Sequence, residues 1–373
     1  MINTLILKPS HRCNFNCSYC YDRFERSKDS HIMPVDECIK VLEMAYKENP
    51  KMEIIWHGGE PLVLGKKYLD TVMSHFPKDS FFWSIQTNGS LIDDEWVEIF
   101  KKHNVHVGIS WDGVTHNATR NSLNIQKIFN IFREHEAILP GLLMTYTPQN
   151  APYILETYLE YTELFSDSGG FGLNTLFGEK ITDEEYELMA FHLVQLFDFM
   201  CIDKNAKLFR PFPDLLEFFA GRRLRLCEFI TCANHWVGIT PHGDVIPCGK
   251  PWGPEYKFGN ILEEGASFEK IFQTEKYKKF AYECVHSWDA CKNCKYLLGC
   301  NGGCFYKGMD ADLKYTKDEG YCKYRYNLFE GIKSVIEHRC ETNTLINEQV
   351  ILYLNSSYKG EFAKWRNYKS PII

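Results

Sequence analysis

The sequence predicts an α/β protein in which strand–helix units build a partial barrel and a smaller cysteine-rich domain follows. Three observations predict it. Apolar, β-branched or aromatic runs alternate with amphipathic stretches through the first 200 residues. The fifteen cysteines divide mainly into a trio, Cys13, Cys17 and Cys20, and a crowd over Cys227–Cys322. From about Arg222 the alternation gives way to short strands and turns.

In chain order, strands are expected at Ile2–Leu7, Glu53–Trp56, Phe81–Ile85, Val105–Ile109, Leu142–Tyr146 and Phe171–Leu176. Helical spacing falls between and after them, at Val35–Lys47, Lys66–His75, Asp93–Lys102, Leu123–Glu136, Ala151–Phe165 and Asp183–Cys201. Asp36, Asp93 and Thr182 stand where helix caps would. Six such units are too few for a closed eight-stranded barrel, so an open (β/α)6 barrel or a doubly wound sheet is expected. Either places ligands at the carboxyl ends of the strands. The unusual residues sit there: Cys13–Cys20, His57-Gly-Gly-Glu-Pro61, Gln86-Thr-Asn-Gly89 and Ser110-Trp-Asp-Gly113. Beyond Arg222 come Val237–Thr240, the turn His242-Gly-Asp244 and Val245–Cys248. A last segment from Asp318 returns to helical spacing and ends basic, with Lys359, Lys364, Arg366 and Lys369.

Composition narrows the function. With 45% hydrophobic and 24% charged residues the chain is an ordinary globular protein, and disorder is excluded as its main state. A formal charge of −7 argues against nucleic acid as partner. No secretory signal and no apolar run of ~20 residues is visible, so a cytoplasmic protein without membrane contact is expected. A reducing compartment does not keep fifteen cysteines for disulfides, which leaves metal.

Cys13-Asn-Phe-Asn-Cys17-Ser-Tyr-Cys20 puts three thiolates on one tight loop. Three can hold three irons of a cubane, where four would saturate it. The open iron is what a catalytic site keeps. The alternative is zinc completed by a distant ligand such as His11. The CxxxCxxC loop with an aromatic before its last cysteine, and Gly58-Gly59-Glu60-Pro61 after the second strand, resemble the radical S-adenosylmethionine (radical SAM) superfamily from Ile2 to about Cys201. The resemblance implies a TIM-like partial barrel whose open iron chelates the cofactor's methionyl amine and carboxylate, and a 5′-deoxyadenosyl radical made by one-electron cleavage. It implies cofactor contacts from Tyr19, Gly58, Gly59, Glu60, Asn88, Ser110, Asp112 and Arg120. For Asn88, Ser110, Asp112 and Arg120, capping or turn hydrogen bonding is the competing role. His57 is a candidate substrate contact, with a purely structural role as its alternative.

Cys227-x4-Cys232-x15-Cys248 and Cys291-x2-Cys294-x5-Cys300-x3-Cys304-x17-Cys322 supply eight thiolates, enough for two four-iron clusters; a pair of zinc sites is the alternative. This run resembles the SPASM extension. By that resemblance Cys227, Cys232, Cys248 and Cys304 hold one auxiliary cluster, and Cys291, Cys294, Cys300 and Cys322 the other, making three [4Fe-4S] clusters in all. Cys38, Cys201 and Cys340 read as buried small hydrophobes, and Cys284 as a spare thiol that could also serve as a ligand or act on substrate. The expected organisation is a radical SAM barrel over 1–205, a bridging region over 206–226, the SPASM domain over 227–326 and a helical segment over 327–373.

Anaerobic sulfatase-maturating enzymes share this layout, and by resemblance they carry an aspartate base after the central cysteine of the first auxiliary cluster. Here Cys248 is followed by Gly249-Lys250-Pro251-Trp252. The sequence therefore places first a maturase that crosslinks a ribosomally made precursor peptide, a carbon–carbon cyclophane ahead of a thioether. Formylglycine formation or other protein modification comes second, and a non-catalytic iron–sulfur or zinc protein third. Expected partners are the precursor peptide and a flavodoxin or ferredoxin reductant. Because Cys13 lies so near Met1, the leader is expected to dock on the barrel, on the cysteine-rich domain, on the basic C-terminal segment or on a separate leader-binding protein.

Overall fold

The computed structural model describes residues 2–222, 224, 227–229, 232–233, 235–286, 291–309, 318–357 and 359–371. Its centre is one sheet in the order β6-β5-β4-β3-β2-β1-β7-β8-β9. The first six strands are β1 (Thr4–Leu7), β2 (Glu53–Trp56), β3 (Phe82–Thr87), β4 (His106–Ser110), β5 (Gly141–Tyr146) and β6 (Phe171–Thr175). Each pairs in parallel with the next. Parallel neighbours need crossovers, and those crossovers are right-handed. Because strand order never reverses from β1 to β6, right-handed crossovers all place their helices on one face. That excludes the doubly wound alternative, whose order turns back at a switch point.

The helices fall where the spacing placed them: Val35–Glu48, Lys66–Ser74, Asp94–His103, Ile125–Glu134, Ile154–Leu164 and Asp183–Cys201. Asp93 caps the third by accepting a hydrogen bond from Trp96 N at 3.0 Å. Thr182 and Glu185 form a reciprocal capping box at the sixth. Asp36 is no cap. Pro34 holds that position and Asp36 lies in the first turn, where its charge favours the helix amino end. Asn124 caps the fourth helix, which therefore begins after Leu123.

Beyond the sixth unit the sheet continues. β7 (Trp236–Ile239) pairs in parallel with β1, Thr4 opposite Trp236 and Leu7 opposite Ile239. β8 (Asp244–Ile246) and β9 (Gly259–Asn260) follow antiparallel. The cysteine-rich half is thus joined to the barrel through backbone hydrogen bonds on its first strand. A second join is helical. Helix Glu319–Glu341 runs against Asp183–Cys201, with Leu328, Ile332 and Ile336 buried on the one helix and Leu193, Leu196, Phe197 and Met200 on the other. Gly331 permits that approach, since a Cβ there would stand 2.3 Å from Val194 Cγ2. Among the described residues no helix is long and apolar enough to cross a membrane.

Candidate functional site

The cysteine loop leaves the carboxyl end of β1 and is strapped to the loop after β2. Gly59 N donates to Ser10 O at 3.1 Å and Glu60 N to Arg12 O at 2.8 Å. A Cβ on Gly59 would lie 2.2 Å from Arg12 O and 2.4 Å from His11 O, and Gly58 has φ +119°. Both positions demand glycine. The Glu60 carboxylate, 2% exposed, accepts hydrogen bonds from Leu62 N, the Thr87 hydroxyl and Asn88 N at 2.7–2.9 Å. Burial nonetheless pushes its carboxyl up. The Gly58–Pro61 stretch therefore fixes the start of the cysteine loop, and the Glu60 side chain is committed to protein donors. Gly59→Ala is expected to displace residues 11–12 and cut the iron taken up on reconstitution, with a stability loss of about 1–3 kcal/mol for forced overpacking. Iron assay and denaturant titration check it.

Cys13, Cys17 and Cys20 are half-buried on this loop. Burial raises the Cys13 and Cys17 thiols. Phe15 N donates to Cys13 Sγ at 3.4 Å, and Arg120 Nη1 reaches Cys17 Sγ at 3.7 Å. Arg120 also donates through Nε to the Tyr19 hydroxyl at 2.6 Å and Asp112 Oδ2 at 3.1 Å, with its guanidinium over the Tyr19 ring. Asp112 is fully buried and accepts hydrogen bonds from the Tyr19 and Thr119 hydroxyls, Arg120 and Thr145 N. Its oxygens take up these donors and orient Arg120. Asn88 makes turn bonds: its amide donates to Asn14 Oδ1 and accepts from Ser90 N and Oγ. Ser110 Oγ accepts a hydrogen bond from Gln86 at 3.0 Å. Of the side chains expected at the cofactor, Arg120 is the one placed against the cysteine loop with charge to offer.

His57 Nδ1 accepts from Gly58 N at 2.8 Å and lies 3.4 Å from the Tyr21 hydroxyl. Burial holds its imidazole down to about 4. With Nδ1 accepting, the neutral ring carries its proton on Nε2.

Sequence reasoning missed a buried trio below this loop. Lys8 Nζ and His11 Nδ1 each lie 2.7 Å from an Asp22 oxygen, with Lys8 2%, His11 5% and Asp22 2% exposed. Burial alone would raise the Asp22 carboxyl, but the His11 hydrogen bond and the Lys8 charge outweigh it and hold it down to about 2. His11, the distant ligand of the zinc alternative, is thus engaged elsewhere. A lysine ending an otherwise apolar strand run was the visible signal.

The eight other thiols gather in two groups. Cys227 and Cys232 share a hydrogen bond that lowers the first and raises the second, and both interact with Cys248 and Cys304 or their neighbours. Trp252 Nε1 donates to Cys248 Sγ at 3.3 Å and Lys250 Nζ to Cys304 Sγ at 2.9 Å. Cys291, Cys294, Cys300 and Cys322 line a cavity of about 60 Å³ together with Cys304. Arg325, 3% exposed, donates through Nε to Cys300 Sγ at 3.1 Å. Cys284 is buried close enough to Cys304 and Cys248 to feel their charge, while Cys38, Cys201 and Cys340 are buried in helices as expected. Among the described residues, no three His, Cys, Asp or Glu side chains converge as one metal ion would need.

These donor sets fit iron–sulfur clusters. Neutral thiols are weak acceptors, yet backbone, indole, ammonium and guanidinium N–H groups are aimed at five of these sulfurs. Such donors stabilise thiolates and tune clusters. Comparison with known proteins agrees. Residues 7–192 match the radical SAM superfamily model and residues 227–295 the SPASM iron–sulfur cluster-binding domain. The cysteine-type anaerobic sulfatase-maturating enzyme of Clostridium perfringens (strain 13 / Type A) is 24% identical, covering 88% of this chain and 95% of its own. The serine-type enzyme of Bacteroides thetaiotaomicron is 25% identical over 90% of each chain. The fold matches native anSMEcpe with bound AdoMet and Kp18Cys peptide at a TM-score of 0.75 and 24% identity, covering 90% of this chain and 98% of that one. The three-thiol loop on β1, the strap after β2 and the thiol-rich half beyond β7 make this chain a radical SAM enzyme with a SPASM domain, one that works with S-adenosyl-L-methionine and [4Fe-4S] clusters.

Proposed function

We propose that the enzyme oxidises one residue within a peptide segment of a protein substrate, in the manner of the sulfatase-maturating enzymes. The observation that carries this reading is correspondence along nearly the whole chain with both the cysteine-type and the serine-type enzymes. It reverses the order expected from the sequence, where crosslinking stood first. The clusters fall to the ligand sets the resemblance implied: Cys13, Cys17 and Cys20; Cys227, Cys232, Cys248 and Cys304; Cys291, Cys294, Cys300 and Cys322.

Loaded with its cluster and S-adenosyl-L-methionine, the first site supplies a 5′-deoxyadenosyl radical. The chain's own residues do the rest. Arg120, held by Asp112 and Tyr19, offers a fixed guanidinium beside Cys17 that suits the methionyl carboxylate. Tyr21, Phe177 and Tyr306 stand in ring contact between the cysteine loop and the Cys248 loop, at centroid separations of 4.8 and 6.1 Å. They give an apolar lining that keeps water from a reactive centre. His57, next to Tyr21 and with Nε2 as its remaining donor, serves to orient substrate.

The second reading, a crosslinking maturase, is favoured by one residue: Gly249 stands where the sulfatase-maturating resemblance places an aspartate. Anaerobic incubation with sulfatase-derived peptides bearing cysteine or serine, read by tandem mass spectrometry, decides. Formylglycine at a single residue is expected. A loss of two hydrogens placed between two residues transfers the assignment to the crosslinking reading, and deoxyadenosine release with no peptide change for any such substrate overturns the first.

A further inference from the structure

Among the described residues, Lys250 is a lysine directed at a sulfur. Lys8 has Asp22 as its partner at 2.7 Å, and Lys307 donates to Leu176 O at 2.8 Å. The polar contact of the Lys250 ammonium is Cys304 Sγ, at 2.9 Å. Nζ also lies 4.6 Å from the Phe177 ring centroid and 5.6 Å from that of Tyr306, and is near enough to Cys248 and Cys227 to interact with them. Tyr306 donates its hydroxyl to Pro251 O at 3.2 Å and packs edge-on against Trp252. Trp252 in turn donates to Cys248 Sγ. The segment 250–252 is thereby fixed, with its cation on one thiol of the first auxiliary group and its indole on another.

We propose that Lys250 sets the reduction potential of the cluster held by Cys227, Cys232, Cys248 and Cys304. The inference rests on that ligand set. A cluster becomes more negative when it takes up an electron, and a positive charge beside a ligand sulfur favours the more negative state. Lys250 is partly buried with aromatic faces taking the place of some of its water, so its charge is less screened and its effect at the sulfur larger than at an open surface. Lys250 therefore raises the potential and makes the group a better electron acceptor. The cation comes from the Gly249-Lys250 sequence that directly follows Cys248. An acidic residue at this loop would act with the opposite sign. Arg325 on Cys300 provides a separate cation for the second group, which serves as an internal reference.

The test is anaerobic potentiometric titration of the reconstituted full-length holoenzyme, followed by electron paramagnetic resonance. K250M is expected to lower one auxiliary midpoint so that, at a fixed potential, its reduced-to-oxidised ratio falls about tenfold, which is 59 mV for a one-electron couple. K250R should stay near wild type, and the second auxiliary midpoint should not move. An unchanged midpoint in K250M with full iron content overturns the proposal. If K250M fails to assemble the cluster, K250Q, close in length and still polar, carries the same expectation and the same overturning result. The ligand reading is tested separately by C248A/C304A. Loss of one cluster's iron there supports it, and retention of all the iron overturns it whatever Lys250 does.

Discussion

Replacing Cys13, Cys17 and Cys20 together with alanine is expected to abolish deoxyadenosine release while leaving about two-thirds of the iron, if eight of twelve irons belong to the auxiliary groups. The fold should survive. The loop is held by backbone bonds from Gly59 and Glu60 to Ser10 and Arg12, and by the Asn14 amide donating to Ser90 Oγ at 2.8 Å, none of which uses sulfur. The three thiols are half-exposed, so their removal leaves little buried void. Chromatography of dithionite-reduced reactions, iron assay and circular dichroism would be measured together. Release at the wild-type rate would remove the radical assignment. A lost fold would instead show that the cysteines hold the loop and that the strap does not.

The largest stability effect belongs to Asp22→Asn. Lys8 is 2% exposed and its ammonium is neutralised by Asp22 at 2.7 Å. Deleting one partner of a buried pair leaves an uncompensated charge, at a cost of about 3–5 kcal/mol. The sign of the pH dependence follows from the depressed carboxyl. Asp22 titrates near 2 in the folded protein, against about 3.9 in an unfolded chain. Its contribution is therefore complete above the unfolded value and is lost as pH falls through the folded one. Denaturant midpoints of wild type and Asp22→Asn should differ by a constant amount near neutrality and converge between about pH 4 and pH 2. A gap that persists at the acid end would assign the loss to packing and not to charge.

The barrel was legible because its signals are local. Apolar runs alternating with helical spacing, and helix caps such as Asp93 and Thr182, set the elements to within a few residues. The number and spacing of the cysteines were legible in the sequence, while their division into ligand sets rests on the resemblance. What was hidden depends on partners far apart in the chain. Trp236–Ile239 is four residues long and joins β1 across more than 200 positions, so no window could reveal that pairing. Lys8 and Asp22 look like ordinary polar residues until burial brings them together. Glu60 and Asp112 were placed at the cofactor by resemblance, with turn or capping bonds as the competing role for Asp112. Here backbone and hydroxyl donors take up those oxygens.

The pairing of β7 with β1 means the two halves cannot be prepared as independent pieces. A fragment ending after Cys201 would present β1 as a bare strand edge, its amides and carbonyls open along Thr4–Leu7. Such an edge recruits other strands and invites aggregation. Truncated versions made to isolate the radical chemistry would need a polar or proline-bearing replacement strand along that side before they stayed in solution.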